Sequence, residues 1–214
     1  MAKNVNTPET DVIIDAKGKL ELLFEKYGKM LLIVLVVIGV AVGGYFIYKN
    51  YADKKEQERI AKAEIAASDA LASNSAEDAL SVANNKEFEG TAAQNFANYL
   101  AAARYLQEGD LDAAEAHIAK FANVEEGYLA NMVNAAACGI RGDIAAERGD
   151  YKEAIAEYNN AIEVSDDQYT FITMNEKMGR LYIHMGEREA AVECYKAIVE
   201  EYPDMEQAYA KFIW

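Results

Sequence analysis

Proline is nearly missing from this chain of 214 residues, occurring only at Pro8 and Pro203. The stretch between them is rich in Ala, Glu, Lys and Leu, the residues that lose least on entering a helix, so the composition reads all-α. Cysteine is as scarce. Cys138 and Cys194 stand far apart with no Cys-x-x-Cys, which excludes a dithiol redox motif and a zinc framework. Two readings of them stay open: small buried side chains, or a pair formed in an oxidising compartment. The two histidines, His117 and His184, lie in no Gly-x-Ser-x-Gly or His-Glu-x-x-His context, so a nucleophile would find no base. There is no Gly-rich phosphate loop, and Gly139-Ile140-Arg141-Gly142 falls inside a helical pattern. Glu125-Glu126 and Glu200-Glu201 read as solvated charge at helix ends rather than acid/base pairs. These absences argue against an enzyme, and no cofactor or metal is expected.

Positive charge is also short where it would matter for anionic ligands. Residues 60–214 carry 12 Lys and Arg against 28 Asp and Glu, whereas residues 1–29 carry five Lys against five Asp and Glu. A domain of about −16 repels phosphate backbones and anionic headgroups, which excludes nucleic acid as a partner.

What the chain does have is one long uncharged run. Met30 to Tyr48 lies between Lys29 and Lys49, and 19 residues of helix span about 28 Å, close to the thickness of a bilayer core. The flanking lysines can snorkel, and Tyr45, Phe46 and Tyr48 fit an interfacial aromatic belt. With 29 residues before the run and no Ala-x-Ala site after it, the segment is expected to stay as an anchor. Orientation is not decided by charge, because Lys17, Lys19, Lys26 and Lys29 precede the run while Lys49, Lys54, Lys55, Arg59 and Lys62 follow it. A cytoplasmic N-terminus is expected, since the tail has no export signal of its own. Gly39 and Gly43, with Gly44 beside them, make a flat stripe for close helix packing, which would also permit a homo-oligomer. Asn50 to Ser73 contains no Gly or Pro, and Ala63, Ile65, Ala66, Ala70 and Leu71 recur at helical spacing, so the helix should continue as a stalk until Asn74-Ser75, with Ser75 capping the next one.

Beyond this, the chain repeats itself. The turns Gly109-Asp110, Gly149-Asp150 and Gly186-Glu187 recur at helical-hairpin intervals. Each glycine can end a helix in the left-handed conformation, and the acidic residue after it suits the start of the next. Five residues after each glycine comes Ala114, Ala154 or Ala191, and seven before it Ala102, Gly142 or Gly179. These small residues should admit large ones from the facing helix: Tyr105 and Tyr182 on first helices, Ile118, Tyr158 and Tyr195 on second helices. Pro203 should stop the last helix.

This order of small residue, aromatic, turn glycine, alanine, aromatic and proline resembles the tetratricopeptide repeat over residues 95–214. Cys138 and Asn175 stand where that repeat usually has Trp, Arg141 where it has Leu, and the intervals exceed about 34 residues. The resemblance implies a peptide-binding groove lined by Phe96, Tyr99, Leu106, Asp143, Glu147, Glu176, Arg180 and His184, apolar at one end and acidic at the other. Tyr99 and Leu106 are expected to serve binding rather than stability. The expected organisation is a cytoplasmic tail (1–29), a membrane helix (30–48), a stalk with leading helices (49–94) and the repeats (95–214). With Lys19-Leu20-Glu21-Leu22-Leu23-Phe24 in the tail and Tyr45-Phe46-Ile47-Tyr48 at the membrane edge, this layout resembles the ancillary subunit family of the bacterial SecYEG translocon. That resemblance implies an inner-membrane protein with a periplasmic repeat domain. The implied partners are translocon subunits, a membrane-anchored periplasmic folding factor and emerging substrates. A self-associating assembly protein of the cell envelope is the alternative.

Overall fold

The computed structural model describes the chain over residues 8–125 and 130–213. The side chains of the tail lysines, of Lys29 and of Glu126 lie outside the described residues. The fold is all-α. Its helices are α1 (Pro8–Ser73), α2 (Ala76–Ala83), α3 (Ala92–Glu108), α4 (Leu111–Ile118), α5 (Ala130–Arg148), α6 (Tyr151–Val164), α7 (Gln168–Met185), α8 (Arg188–Glu201) and α9 (Glu206–Ile213). The chain divides into two compact units, Met1–Glu58 and Arg59–Trp214.

In the first unit, α1 carries the apolar run, and every side chain from Ile33 to Tyr48 is exposed. Among the described residues it is the one helix long and apolar enough to cross a membrane, and none of its most apolar stretch is buried in protein. A Cβ at Gly39, Gly43 or Gly44 would meet nothing within 4 Å.

The second unit begins with the last turns of α1, whose Ala63, Ala67 and Ala70 are buried against Val82, Ala83, Phe88, Ala93 and Ala97. Ile65 and Leu71 point outward instead, so only part of the apolar pattern seen in the stalk is spent on packing. Asn74, with φ of 58°, breaks α1, and Ser75 caps α2 by accepting from the Asp78 amide.

Three helical hairpins follow: α3 with α4, α5 with α6, and α7 with α8. Gly109, Gly149 and Gly186 have φ of 82°, 85° and 79°, a conformation that costs residues with a Cβ about 1 kcal/mol or more. The same two bonds recur at each turn: Gly109 N to Leu106 O and Asp110 N to Tyr105 O have counterparts at 149–150 and 186–187.

Close packing inside the hairpins rests on size pairs. A Cβ on Gly142 would lie 2.5 Å from Tyr158 Cε1, and one on Gly179 would lie 2.7 Å from Tyr195 Cζ. In the first hairpin the pair is Ala102 with Ile118, both buried. Ala114, Ala154 and Ala191 are buried at the facing positions. Tyr105 and Tyr182 are only half-buried at the edges of their clusters.

After the short α4, residues 121–125 have no regular structure and are clasped from both sides. Asn95 on α3 accepts from Ala122 N at 2.8 Å and donates to Ala122 O at 2.7 Å. Asn134 on α5 does the same to Val124, at 2.8 and 2.9 Å. Among the described residues no buried side-chain nitrogen or oxygen lacks a hydrogen-bond partner.

His117 is part of this satisfied interior. Asn98 Nδ2 donates to Gln94 O, which leaves Asn98 Oδ1 to accept from His117 Nδ1–H at 3.0 Å, while the imidazole stacks on Tyr105. Burial, with Lys120 adding to it, holds the His117 pKa below the ordinary value. The unfolded chain therefore takes up this proton first, so the contribution of His117 to stability is full above about pH 6.5 and is lost as pH falls through the folded value. The urea midpoint should drop between pH 7.5 and pH 5, and His117→Gln should flatten that slope. Equal slopes in the two proteins would refute the assignment.

Candidate functional site

The first helices of the hairpins, α3, α5 and α7, form one wall of the second unit, and between them lies an open groove of about 1070 Å³. Each helix contributes a row at helical spacing: Tyr99, Ala103 and Leu106 from α3; Met132, Ala136, Gly139, Ile140, Asp143 and Glu147 from α5; Thr170, Thr173, Met174 and Lys177 from α7. The volume is at the upper end of small-molecule sites, and the site is a trough rather than a closed pocket.

Its polar floor is organised by Asp143. The Tyr158 hydroxyl donates to Asp143 Oδ1 at 2.7 Å, and Lys177 Nζ sits 2.7 Å from both carboxylate oxygens. Burial first, and then the neighbouring Asp143 carboxylate, push the Tyr158 phenol far up, so the ring is a neutral hydrogen-bond donor. Burial also raises the Tyr99 phenol, against the pull of Arg104.

One end of the rim is apolar: Met132 and Tyr169 are 45% and 75% exposed, and both border the groove.

Of the eight residues expected on a groove face, Tyr99, Leu106, Asp143 and Glu147 line this one together. Phe96 sits beside a shallow depression against Ala67 and Leu71. α7 turns its 170-173-174-177 row to the groove, which places Glu176, Arg180 and His184 on other faces. There Glu176 accepts from the Tyr209 hydroxyl at 2.8 Å and pairs with Arg180 at 3.0 Å. His184 Nε2 bonds the Tyr151 hydroxyl at 2.9 Å. Burial, and then the bond to Glu176, push the Tyr209 phenol up to about 12.

The expectation that Tyr99 and Leu106 carry no stability is corrected by their packing. Tyr99 stacks on Phe96 with centroids 5.6 Å apart and leans on Phe121, and Leu106 packs on the core around Ala102, Ile118 and Ile140. Each shows one edge to the groove and the rest to the interior. Met132, Tyr169 and Lys177 were missed from sequence. Nothing in the repeat pattern singles them out, although Lys177 stands one residue from the expected Glu176.

Among the described residues no three His, Cys, Asp or Glu side chains are placed to hold a metal ion. Cys138 is buried and Cys194 half-buried, both against the α5–α6–α7 core, and both are free thiols.

Comparison with known families gives three matches. A tetratricopeptide repeat-like domain matches residues 23–136, and tetratricopeptide repeats match residues 135–168 and 176–204. The latter two fall on the α5–α6 and α7–α8 hairpins. No curated protein and no solved structure gave a match.

Proposed function

Because the chain belongs to the tetratricopeptide repeat-like domain family, whose repeats serve as protein-interaction scaffolds, we propose that it is a membrane-anchored scaffold that captures partner proteins in the α3–α5–α7 groove. The observation that carries this reading is the groove's exposed rim. Met132 and Tyr169 remain in water while every repeat-consensus aromatic is wholly or partly packed, and methionine and aromatic residues are those that interfaces favour.

The anchor is α1. A helix with uncovered apolar side chains from Ile33 to Tyr48 needs an apolar surrounding, and a bilayer supplies one over that length. In the proposed arrangement residues 1–29 are cytoplasmic and residues 49–214 periplasmic. The partners are subunits of the Sec translocon, a membrane-anchored periplasmic folding factor and emerging substrates. What supports these partners is the chain layout, from lysine-bearing tail to degenerate repeats.

Purification of the full chain from native membranes in mild detergent should recover translocon subunits or a folding factor. Recovery of neither would sink this partner assignment. The double variant Met132→Ser/Tyr169→Ser should keep its helical content and thermal midpoint yet lose at least tenfold in recovery, equivalent to about 1.4 kcal/mol. Undiminished recovery would move binding off the groove. In intact spheroplasts, an impermeant thiol reagent should spare a cysteine placed at Val5 and label one placed at Asn85; the reverse would overturn the topology.

A further inference from the structure

The charges around the groove are not spread evenly along it. Of the cations on α5, Arg141 is turned to Glu157 at 3.3 Å, and Arg148 to Asp112 and Glu115 at 2.7 Å each, so both are spent on the second helices. Lys177 does face the groove, but its charge is matched by Asp143. Arg104 bonds Gln107 further along α3. Two carboxylates that line the groove, Glu108 and Glu147, have no cation within ion-pair distance among the described residues, and both are exposed. They stand in the last turns of α3 and α5, where the carbonyl ends of the helices add partial negative charge.

The apolar rim stands at the opposite end. Met132 and Tyr169 belong to the first turns of α5 and α7. From Met132 to Glu147 the rise along α5 is about 22 Å, which is the reach of roughly six or seven residues of extended chain. The groove therefore has a direction, from an apolar mouth to an uncompensated negative end.

Resting on the reading that the groove is the binding surface, we infer that its occupant is a partner segment with a large aliphatic or aromatic side chain followed, within about seven residues, by Lys or Arg. The apolar side chain lies between Tyr99, Met132 and Tyr169. The basic side chain lies between Glu108 and Glu147, where its charge meets two carboxylates and two helix ends. An acidic segment would meet the same two carboxylates with repulsion, the nearby Lys177 and Arg180 being already matched by Asp143 and Glu176, so the groove selects as well as binds.

The test uses the full chain in zwitterionic lipid discs, with empty discs as the blank. The probe is a labelled peptide with Phe-Leu near one end and Lys-Arg near the other. Comparison peptides carry Glu-Glu in place of Lys-Arg, or Gly-Ser in place of Phe-Leu. The probe should bind at least tenfold more tightly than either, and added salt should weaken it. Glu108→Lys/Glu147→Lys should reverse the preference between basic and acidic peptides. Glu200→Lys/Glu201→Lys makes the same change in net charge away from the groove and should leave the preference as it was. Equal binding of basic and acidic peptides, or equal shifts in the two charge variants, would overturn the inference. If partner recovery from native membranes still depends on Met132 and Tyr169 in that case, the groove stands and only its charge selectivity falls. If recovery is also independent of the rim, both fall.

Discussion

Replacing Tyr158 with Ala should cost about 3–5 kcal/mol and lower the thermal midpoint by on the order of 10 °C. The ring is 2% exposed and fills the notch over Gly142, so its removal leaves a void that Gly142, having no side chain, cannot fill. Asp143 loses its hydroxyl donor at the same time but keeps Lys177. Tyr158→Phe, which keeps the ring, should therefore cost only about 1 kcal/mol. Urea melts followed by circular dichroism would separate the two. An Ala variant within 1 kcal/mol of the parent would mean that the hairpin does not depend on this pair. Because Tyr158 also lines the groove, weaker binding by the Ala variant would say nothing about recognition.

The converse change should be as damaging. Gly142→Leu places a Cβ where it would lie 2.5 Å from the Tyr158 ring and 3.2 Å from the Ala154 carbonyl, before the rest of the side chain is counted. Removing a glycine from a helix interior gains about 1 kcal/mol, yet overpacking a buried ring held by a partly buried hydrogen bond should outweigh it, for a net loss of about 2–3 kcal/mol. In the Tyr158→Ala background the leucine should occupy the vacated space, and the two changes should be strongly non-additive. Additive losses would show that the residues do not share one packing site.

The parts of this fold that were legible in sequence are those fixed by backbone conformation or by a local size rule. A glycine at φ near +80° announces itself as the turn between helices, and Ser75 after Asn74 announces the end of α1. A residue too small for its place, such as Gly142 or Gly179, implies a large one opposite, and the tyrosines were found at the expected offsets. The groove was half legible, since Tyr99, Leu106, Asp143 and Glu147 share it. What failed was decided by partners distant in the chain. The extra helix α2 and the segment at Phe121 cover one side of Tyr99, and the terminal α9 supplies the Tyr209 that occupies Glu176. Helical period alone could not say which of two adjacent rows on α7 faces the groove. Nor could it say that Arg141 and Arg148 turn away, because that depends on Glu157, Asp112 and Glu115 on neighbouring helices.

The stretch between α4 and α5 has a further consequence. Linkers between helices ordinarily absorb added residues, because their length is set by nothing but reach. Here Asn95 holds Ala122 and Asn134 holds Val124, each through both the amide and the carbonyl, so a single residue lies between two fixed points that belong to different hairpins. Losing Asn123, the exposed residue between them, could not be accommodated without opening a clasp or displacing α5 against α3. The linker thus behaves as a ruler rather than a tether, and the distance it measures is the spacing of α3 and α5.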